Sequence, residues 1–472
     1  MAGTNRRGFL TQSLVAASGL GLGYYAWSNL TRAGADLAVD SKLGALQPVN
    51  DLTSGLPLLK LPEGYRYKTI AWAGEKLSDG NISPGNADGM GVVSDKNGIV
   101  TLIRNHELRG SHGAIGSQEA AWDNTGGGTT TLRFDTRTAT LVDSRVSLGG
   151  TLNNCAGGVT PWGTWLSCEE SVFIPKSSRN CSNQRQSLWQ LSKACKPHGY
   201  VFEVPPEGAV DPQPIVQMGQ FYHEAAAVDP LTGAVYLTED HSPYAGFYRF
   251  LPDVPGQLHA GGRLQMMKVL GHDEIIRAVA IDLPMACEWV DIANPDQGHS
   301  PGTHDAAGVL SQGLAAGATA FVGLEGCVYD ERVIYFTSKS GGDARAGQIF
   351  KFDIETQTVE KIFEATDKHA FSGMDNLIIS PQGCLMVCED RVSSTKAGQH
   401  IAGIDPDGHL FAFCQLNSGL YQKYAGHDLA STAAHSEWAG ACFSRDGQWM
   451  FANIYNPGVT VAITGPWAKG PV

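Results

Sequence analysis

The stretch that decides the fold is His223-Glu224-Ala225-Ala226-Ala227-Val228-Asp229-Pro230-Leu231-Thr232-Gly233-Ala234-Val235-Tyr236-Leu237-Thr238-Glu239-Asp240. Two short apolar runs flank a turn rich in Asp, Pro, Thr and Gly, the signature of an antiparallel hairpin. Five other segments follow the same plan: 89–107, 153–170, 324–340, 374–390 and 438–456. In each, the turn falls at a similar offset and polar residues recur at both outer ends. Chance hairpins in a β-rich chain would not repeat both features. The ends of a hairpin lie together in space, so Cys155 is expected near Glu169 and Glu170, Glu224 near Glu239 and Asp240, and Asp375 near Glu389 and Asp390. Segments 347–353 and 410–415 supply outer strands in the longer connections. The reading is an all-β chain, a six-bladed β-propeller with extra loops and short helices, whose hairpin ends converge on one channel mouth.

Composition agrees. Of 472 residues, 57 are glycine and only 17% are charged, against roughly 25% in an average domain. This is a turn-rich chain with ample core, not a coiled coil or a disordered tail. With 34 Lys and Arg against 47 Asp and Glu, the net charge of −13 argues against a nucleic-acid partner.

Residues 1–35 read as an address. Asn5-Arg6-Arg7-Gly8-Phe9-Leu10 precedes a mildly apolar run from Leu14 to Trp27, and Ala33-Gly34-Ala35 offers a small-x-small cleavage site. This is the pattern of a twin-arginine export signal, read by the twin-arginine export machinery. The run is glycine-rich and short for a bilayer span, and no later segment offers 18 consecutive apolar residues. The expectation is a periplasmic or secreted protein without a stable membrane span, with residues 36–472 forming a single propeller domain.

Ten cysteines are too few for a disulfide scaffold, and no paired C-x-x-C knuckles are present. Cys181 and Cys195 lie in a polar insert where an oxidising compartment would let them pair. Cys168, Cys327, Cys384, Cys388, Cys414 and Cys442 sit among apolar residues as small hydrophobes. The acids matter more. Converging carboxylates repel unless cations neutralise them, so the repeated acidic ends point to metal. By hairpin-end position the candidates are Glu107, Glu169, Glu239, Asp375 and Glu389. Asp343 reads as a loop acid.

Several motifs together resemble the PhoX family of alkaline phosphatases: the twin-arginine leader, Asn105-His106-Glu107, Asn154-Cys155-Ala156-Gly157-Gly158, His223-Glu224, Leu324-Glu325-Gly326, Met374-Asp375-Asn376 and Glu389-Asp390. The resemblance runs from about residue 60 to the end. It implies a six-bladed propeller that hydrolyses phosphate monoesters at a cluster of Fe3+ and Ca2+. It places Cys155 as a thiolate ligand of iron, and Glu224 and Glu325 among the cluster carboxylates, without dividing the acids between the two metals. A soft thiolate beside hard carboxylates suits that mixture. His106 and His223 fit packing or supporting roles. One departure stands out: the family pattern has an arginine two positions before the glutamate matching Glu325, and this chain has Gly323. Lys339 and Arg391, both at hairpin ends, are the cations expected to replace it at the reacting phosphate.

Two other functions fit a propeller with acids at its mouth. A calcium-dependent propeller lactonase would not need Cys155 in the site. A non-enzymatic envelope propeller would bind metal without turnover.

Overall fold

Each apolar run of the hairpins becomes a strand because its side chains alternate between two covered faces. The structure is a computed structural model that describes residues 43–109, 113–175, 194–277, 279–368, 371–390, 398–405, 408–417, 423–424, 426–428 and 436–472. The proposed leader at 1–35, Cys181 of the suggested cysteine pair, and Arg391 lie outside the described residues.

All six hairpins are present: Ala87–Lys96 with Ile99–His106, Asn154–Val159 with Trp165–Glu169, His223–Val228 with Val235–Glu239, Leu324–Asp330 with Val333–Ser338, Met374–Ile379 with Leu385–Glu389, and Trp438–Phe443 with Met450–Ile454. In the third, Asp229 closes the turn. Its carboxylate accepts from Leu231 N at 3.1 Å and Thr232 Oγ1 at 2.6 Å, an Asx turn that leaves Gly233 at φ 75°.

The strands are antiparallel throughout, and the architecture is all-β and propeller-like. The first and sixth hairpins each belong to a four-stranded sheet, and the second to a three-stranded one. The fifth belongs to a six-stranded sheet. The third and fourth hairpins lie at opposite edges of one nine-stranded sheet, whose two runs meet where Met285 pairs with Val359. Between them stack Phe247, Phe336 and Phe350, with successive ring centroids 4.2 and 5.2 Å apart. The α-helix Gly308–Ala315 and a few 3-10 turns decorate the connections.

The first strands of the six hairpins stand around one channel of about 550 Å³, lined by Gly89–Val92, Ala156–Thr160, Ala225–Val228, Gly326–Tyr329, Asn376–Ile379 and Gly440–Phe443. They approach closely. A Cβ on Gly158 would lie 1.8 Å from the carbonyl oxygen of Ala226 on the next inner strand, and one on Gly440 would lie 2.5 Å from that of Asp88. The second contact closes the circle from the last hairpin to the first. Asn453 Nδ2 donates to the same Asp88 oxygen, and Gly440 N donates to Asn376 Oδ1 at 2.6 Å. The fully buried Arg104 of the first hairpin reaches Thr460 Oγ1 at 2.8 Å in the last sheet. That sheet is completed by the early strand Arg66–Trp72, which pairs with Val459–Thr464.

Gly158→Ala should therefore cost about 1–3 kcal/mol, because the inner strands have no room for a methyl group there. A denaturation midpoint equal to that of the parent would show that this approach does not constrain the ring.

Candidate metal centre

Every hairpin carries the same irregularity. In the first strand, two consecutive residues oppose one residue of the second, a β-bulge, between Ala87 and Met90, Asn154 and Gly157, His223 and Ala226, Leu324 and Cys327, Met374 and Leu377, and Ala439 and Cys442. A bulge bends its strand and re-aims a side chain. In the first five hairpins the first bulged residue is a potential ligand: Asp88, Cys155, Glu224, Glu325 and Asp375. The residue just past the second strand supplies another group: Glu107, Glu170, Asp240, Lys339, Asp390 and, in the sixth, Tyr455. Glu437, just ahead of the sixth hairpin, completes the set.

These side chains form four linked groups in which one ligand atom per residue lies within 4.8 Å of the others: Cys155 with Glu170 and Glu224, Glu224 with Glu325 and Asp375, Asp375 with Asp390 and Glu437, and Glu437 with Asp88 and Glu107. Glu224, Asp375 and Glu437 each belong to two groups, so the four form one chain across the mouth. Burial, and then the carboxylates of Glu325, Asp375, Glu170 and Asp88, hold Glu224 well above the usual carboxylate range. Burial and Asp240 do the same to Glu325. The Cys155 thiol is pushed up by burial and by Glu224; its Sγ lies 3.1 Å from the His223 carbonyl oxygen. Groups that crowd in this way ionise only beside added positive charge. The donor set is mixed, one soft sulfur among hard oxygens, which fits iron beside calcium.

Lys339 brings one positive charge. Its Nζ is 3.1 Å from Glu325 Oε1 and also pairs with Asp390. Burial works against the ammonium, but Glu325, Asp390, Asp375 and Asp240 outweigh it and keep the charge. Its backbone N–H donates to the Gly323 carbonyl at 2.8 Å, so the lysine stands beside the position where the family pattern has arginine. Arg109 sits at the rim, with Nη2 3.5 Å from Glu107 Oε1.

Of the residues expected from sequence, the structure brings together Cys155, Glu224, Glu325, Glu107, Asp375 and Lys339. It sets apart Glu169, Glu239 and Glu389, the last residues of their second strands, which point away from the mouth. Glu169 accepts from Leu152 N at 2.7 Å, Gly199 N at 2.7 Å and Tyr200 N at 3.1 Å, and pairs with His198 at 2.7 Å. Glu389 accepts from Ser372 N and His400 N. Glu239 accepts from Gly246 N and Tyr248 Oη, both at 2.8 Å, and burial pushes its pKa to about 8. Along a strand, neighbouring side chains face opposite ways, so the next residue (Glu170, Asp240 or Asp390) faces the mouth instead. Asp88 and Glu437 were missed because each lies just outside its repeat segment as read. His106 and His223 turn inward: the His223 ring stacks on Phe221 with centroids 3.6 Å apart.

Fold and site together define an all-β, propeller-like protein whose channel mouth gathers hard and soft metal-ligand side chains. The sequence matches the family described as alkaline phosphatase PhoX over residues 42–138 and 125–458, and the chain belongs to that family. It is accordingly a metal-dependent phosphoesterase of the alkaline phosphatase type. Among solved structures, Pseudomonas fluorescens PhoX in complex with vanadate, a transition-state analogue, is similar at 18% identity and TM-score 0.61, over 93% of this chain and 98% of that one. A gluconolactonase from Xanthomonas campestris aligns at 12% identity and TM-score 0.41, over 93% and 99%. Comparison with curated proteins gives no significant match. Among the described residues, no helix is long and apolar enough to cross a membrane.

The latch beside the site has its own pH dependence. Burial alone would drive His198 neutral, but Glu169 and then Asp123 outweigh it and push the pKa to about 9. A value raised above the unfolded one of about 6.5 means stability fully present below pH 6.5 and lost as pH climbs through about 9. Glu169→Gln should lower stability at pH 7 by roughly 3 kcal/mol and flatten that alkaline decline, with metal content unchanged. Glu170→Gln should do the reverse, sparing stability and losing metal. Metal analysis beside thermal melts at pH 6, 8 and 10 separates them.

Proposed function

We propose that the protein is an exported phosphomonoesterase working at an iron–calcium cluster, built on residues 36–472 as a single six-bladed propeller domain. The observation that carries this reading is the convergence of Cys155 with Asp88, Glu107, Glu170, Glu224, Glu325, Asp375, Asp390 and Glu437, drawn from five hairpins and the residue just ahead of the sixth. Six inner strands around one channel favour six blades, with the nine-stranded sheet supplying two of them. The twin arginines and apolar run at the start of the chain favour the twin-arginine route and a periplasmic or secreted location.

Cys155, with Glu170 and Glu224, would hold iron; the all-carboxylate groups would hold calcium. Bound there, the ions supply Lewis-acid charge neutralisation for attack of water on phosphorus. The chain's own contribution is Lys339. An ammonium has three N–H donors; Lys339 is ion-paired with Glu325 and Asp390, and one of its N–H groups would serve a non-bridging phosphate oxygen. Lys339 thus takes over the charge-sharing that an arginine at 323 would provide. Gly323 itself adopts φ 49°, where a side chain is strained, and a Cβ there would lie 3.1 Å from Ser340 Oγ and 3.3 Å from Asp240 Oδ1. The backbone at this point is shaped for glycine.

Lys339→Ala should lower kcat for an aryl phosphate by roughly 10- to 1000-fold with metal content retained. Cys155→Ser should lose iron, any thiolate-to-iron colour and turnover together. An active, fully loaded parent containing only calcium or only zinc would sink the iron assignment. Unchanged colour and rate in the cysteine variant would return Cys155 to a packing role.

A further inference from the structure

A second cavity opens beside the mouth. It has a volume of about 800 Å³, and Arg277, Arg345, His272, Glu274, Tyr244 and Ser340 are among its lining residues. Two of its walls begin at the metal centre. The segment holding Tyr244 follows Asp240, and the one holding Ser340 and Arg345 follows Lys339. Gly323 stands at the junction, because a Cβ on it would meet Ser340 on the cavity side and Asp240 and Lys339 on the site side. An arginine at 323 would put its side chain into this junction. Glycine puts no side chain there.

The walls are tied in place. Gly342 N donates to the Ile276 carbonyl at 2.9 Å, and Gln348 Nε2 to that of Arg277 at 3.4 Å, joining the two arginine-bearing segments. Gly323 N donates to the His241 carbonyl at 3.0 Å. Arg345 is held at φ 52°, in the region that favours glycine, yet carries a long cationic side chain. Both guanidinium groups are exposed, and among the described residues neither has a carboxylate within ion-pair distance. Glu364, behind Gly342, is already paired with Lys361 and hydrogen-bonded by Gln348 at 3.1 Å. Glu274 is the acidic member of the lining, so the cavity carries a surplus of positive charge on a chain whose net charge is −13.

We propose that this cavity is the leaving-group subsite, and that Arg277 and Arg345 select phosphate esters whose leaving group carries a second phosphate. The inference rests on the phosphoesterase reading of the adjoining site. In the reaction, water's oxygen forms the new bond to phosphorus, the bond from phosphorus to the ester oxygen breaks, and that oxygen leaves with a proton. The second phosphate stays in the cavity and is not cleaved while held there. Guanidinium groups suit it because they present paired N–H donors to phosphate oxygens, and the volume suits a phosphorylated sugar.

The test compares hexose 1,6-bisphosphate, hexose 6-phosphate and phenyl phosphate on the metal-loaded protein. The parent should prefer the bisphosphate in kcat/KM by at least tenfold. Arg277→Ala combined with Arg345→Ala should raise KM for the bisphosphate roughly 10- to 100-fold, with kcat and the phenyl phosphate rate unchanged. Lysine at both positions should recover part of the loss. A parent without the preference, or a double variant that loses all three substrates equally, would overturn the proposal. If the parent hydrolyses none of them, the phosphoesterase reading fails on its own. Calorimetric binding of hexose bisphosphate then decides the cavity separately: weaker binding to the double variant sustains it, and equal binding ends it.

Discussion

Crowded negative charge is the constraint on which the rest of this structure depends. Two carboxylates 4 Å apart repel by about 4 kcal/mol even in a fairly polar protein environment, and the mouth holds Asp88, Glu107, Glu170, Glu224, Glu325, Asp375, Asp390 and Glu437 in overlapping groups. A flexible scaffold would let them drift apart. Here each hangs from a strand of a packed sheet or from the residue next to a strand's end, and the strand ends are fastened from behind. Glu169 and Glu389 turn their carboxylates to backbone N–H groups and a buried histidine, while Glu239 meets Gly246 N and Tyr248 Oη. Adjacent acids thus divide the work, one locking the strand and the next facing the mouth.

The recurring bulge does the complementary task on the inner strands. A regular strand would send its side chains alternately to the two faces of its sheet, and neither face is the channel axis. Setting two residues against one turns the first of them toward the axis without breaking the sheet on either side. Because all six hairpins bend at matching places, the groups arrive at one level. The sixth departs slightly: its bulge falls at Gly440 and Ala441, and its acid is Glu437, ahead of the strand.

Much of this was legible in the sequence, and the failures are instructive. The hairpins and their order followed from apolar runs and turn residues, and the place of Cys155, Glu224 and Asp375 at the mouth from their position at the first strand's start, whereas Glu325 and the ligand roles of Cys155 and Glu224 came from the resemblance to the PhoX family. Lys339 beside Gly323 followed from hairpin geometry alone. The choice between Glu169 and Glu170, Glu239 and Asp240, or Glu389 and Asp390 did not. It turns on which strand face the hydrogen-bond donors occupy, and those donors, such as Gly246, Tyr200 and His400, lie 7 to 31 residues away. Asp88 and Glu437 escaped because the repeat was bounded by apolar residues, whereas its functional positions lie at or beyond that boundary. The edge-to-edge joining of two sheets through Met285 and Val359 leaves no local signal at all.

The circular closure has a consequence for the order of events in the life of the chain. The strand Arg66–Trp72 finds its partner only at Val459–Thr464, and the mouth draws groups from Asp88 through Glu437. No partial product of synthesis can therefore display the complete set of ligands. Ion capture becomes a late event that reports on the whole polypeptide, and a chain truncated before its last sheet lacks both the seam and the sixth contributor.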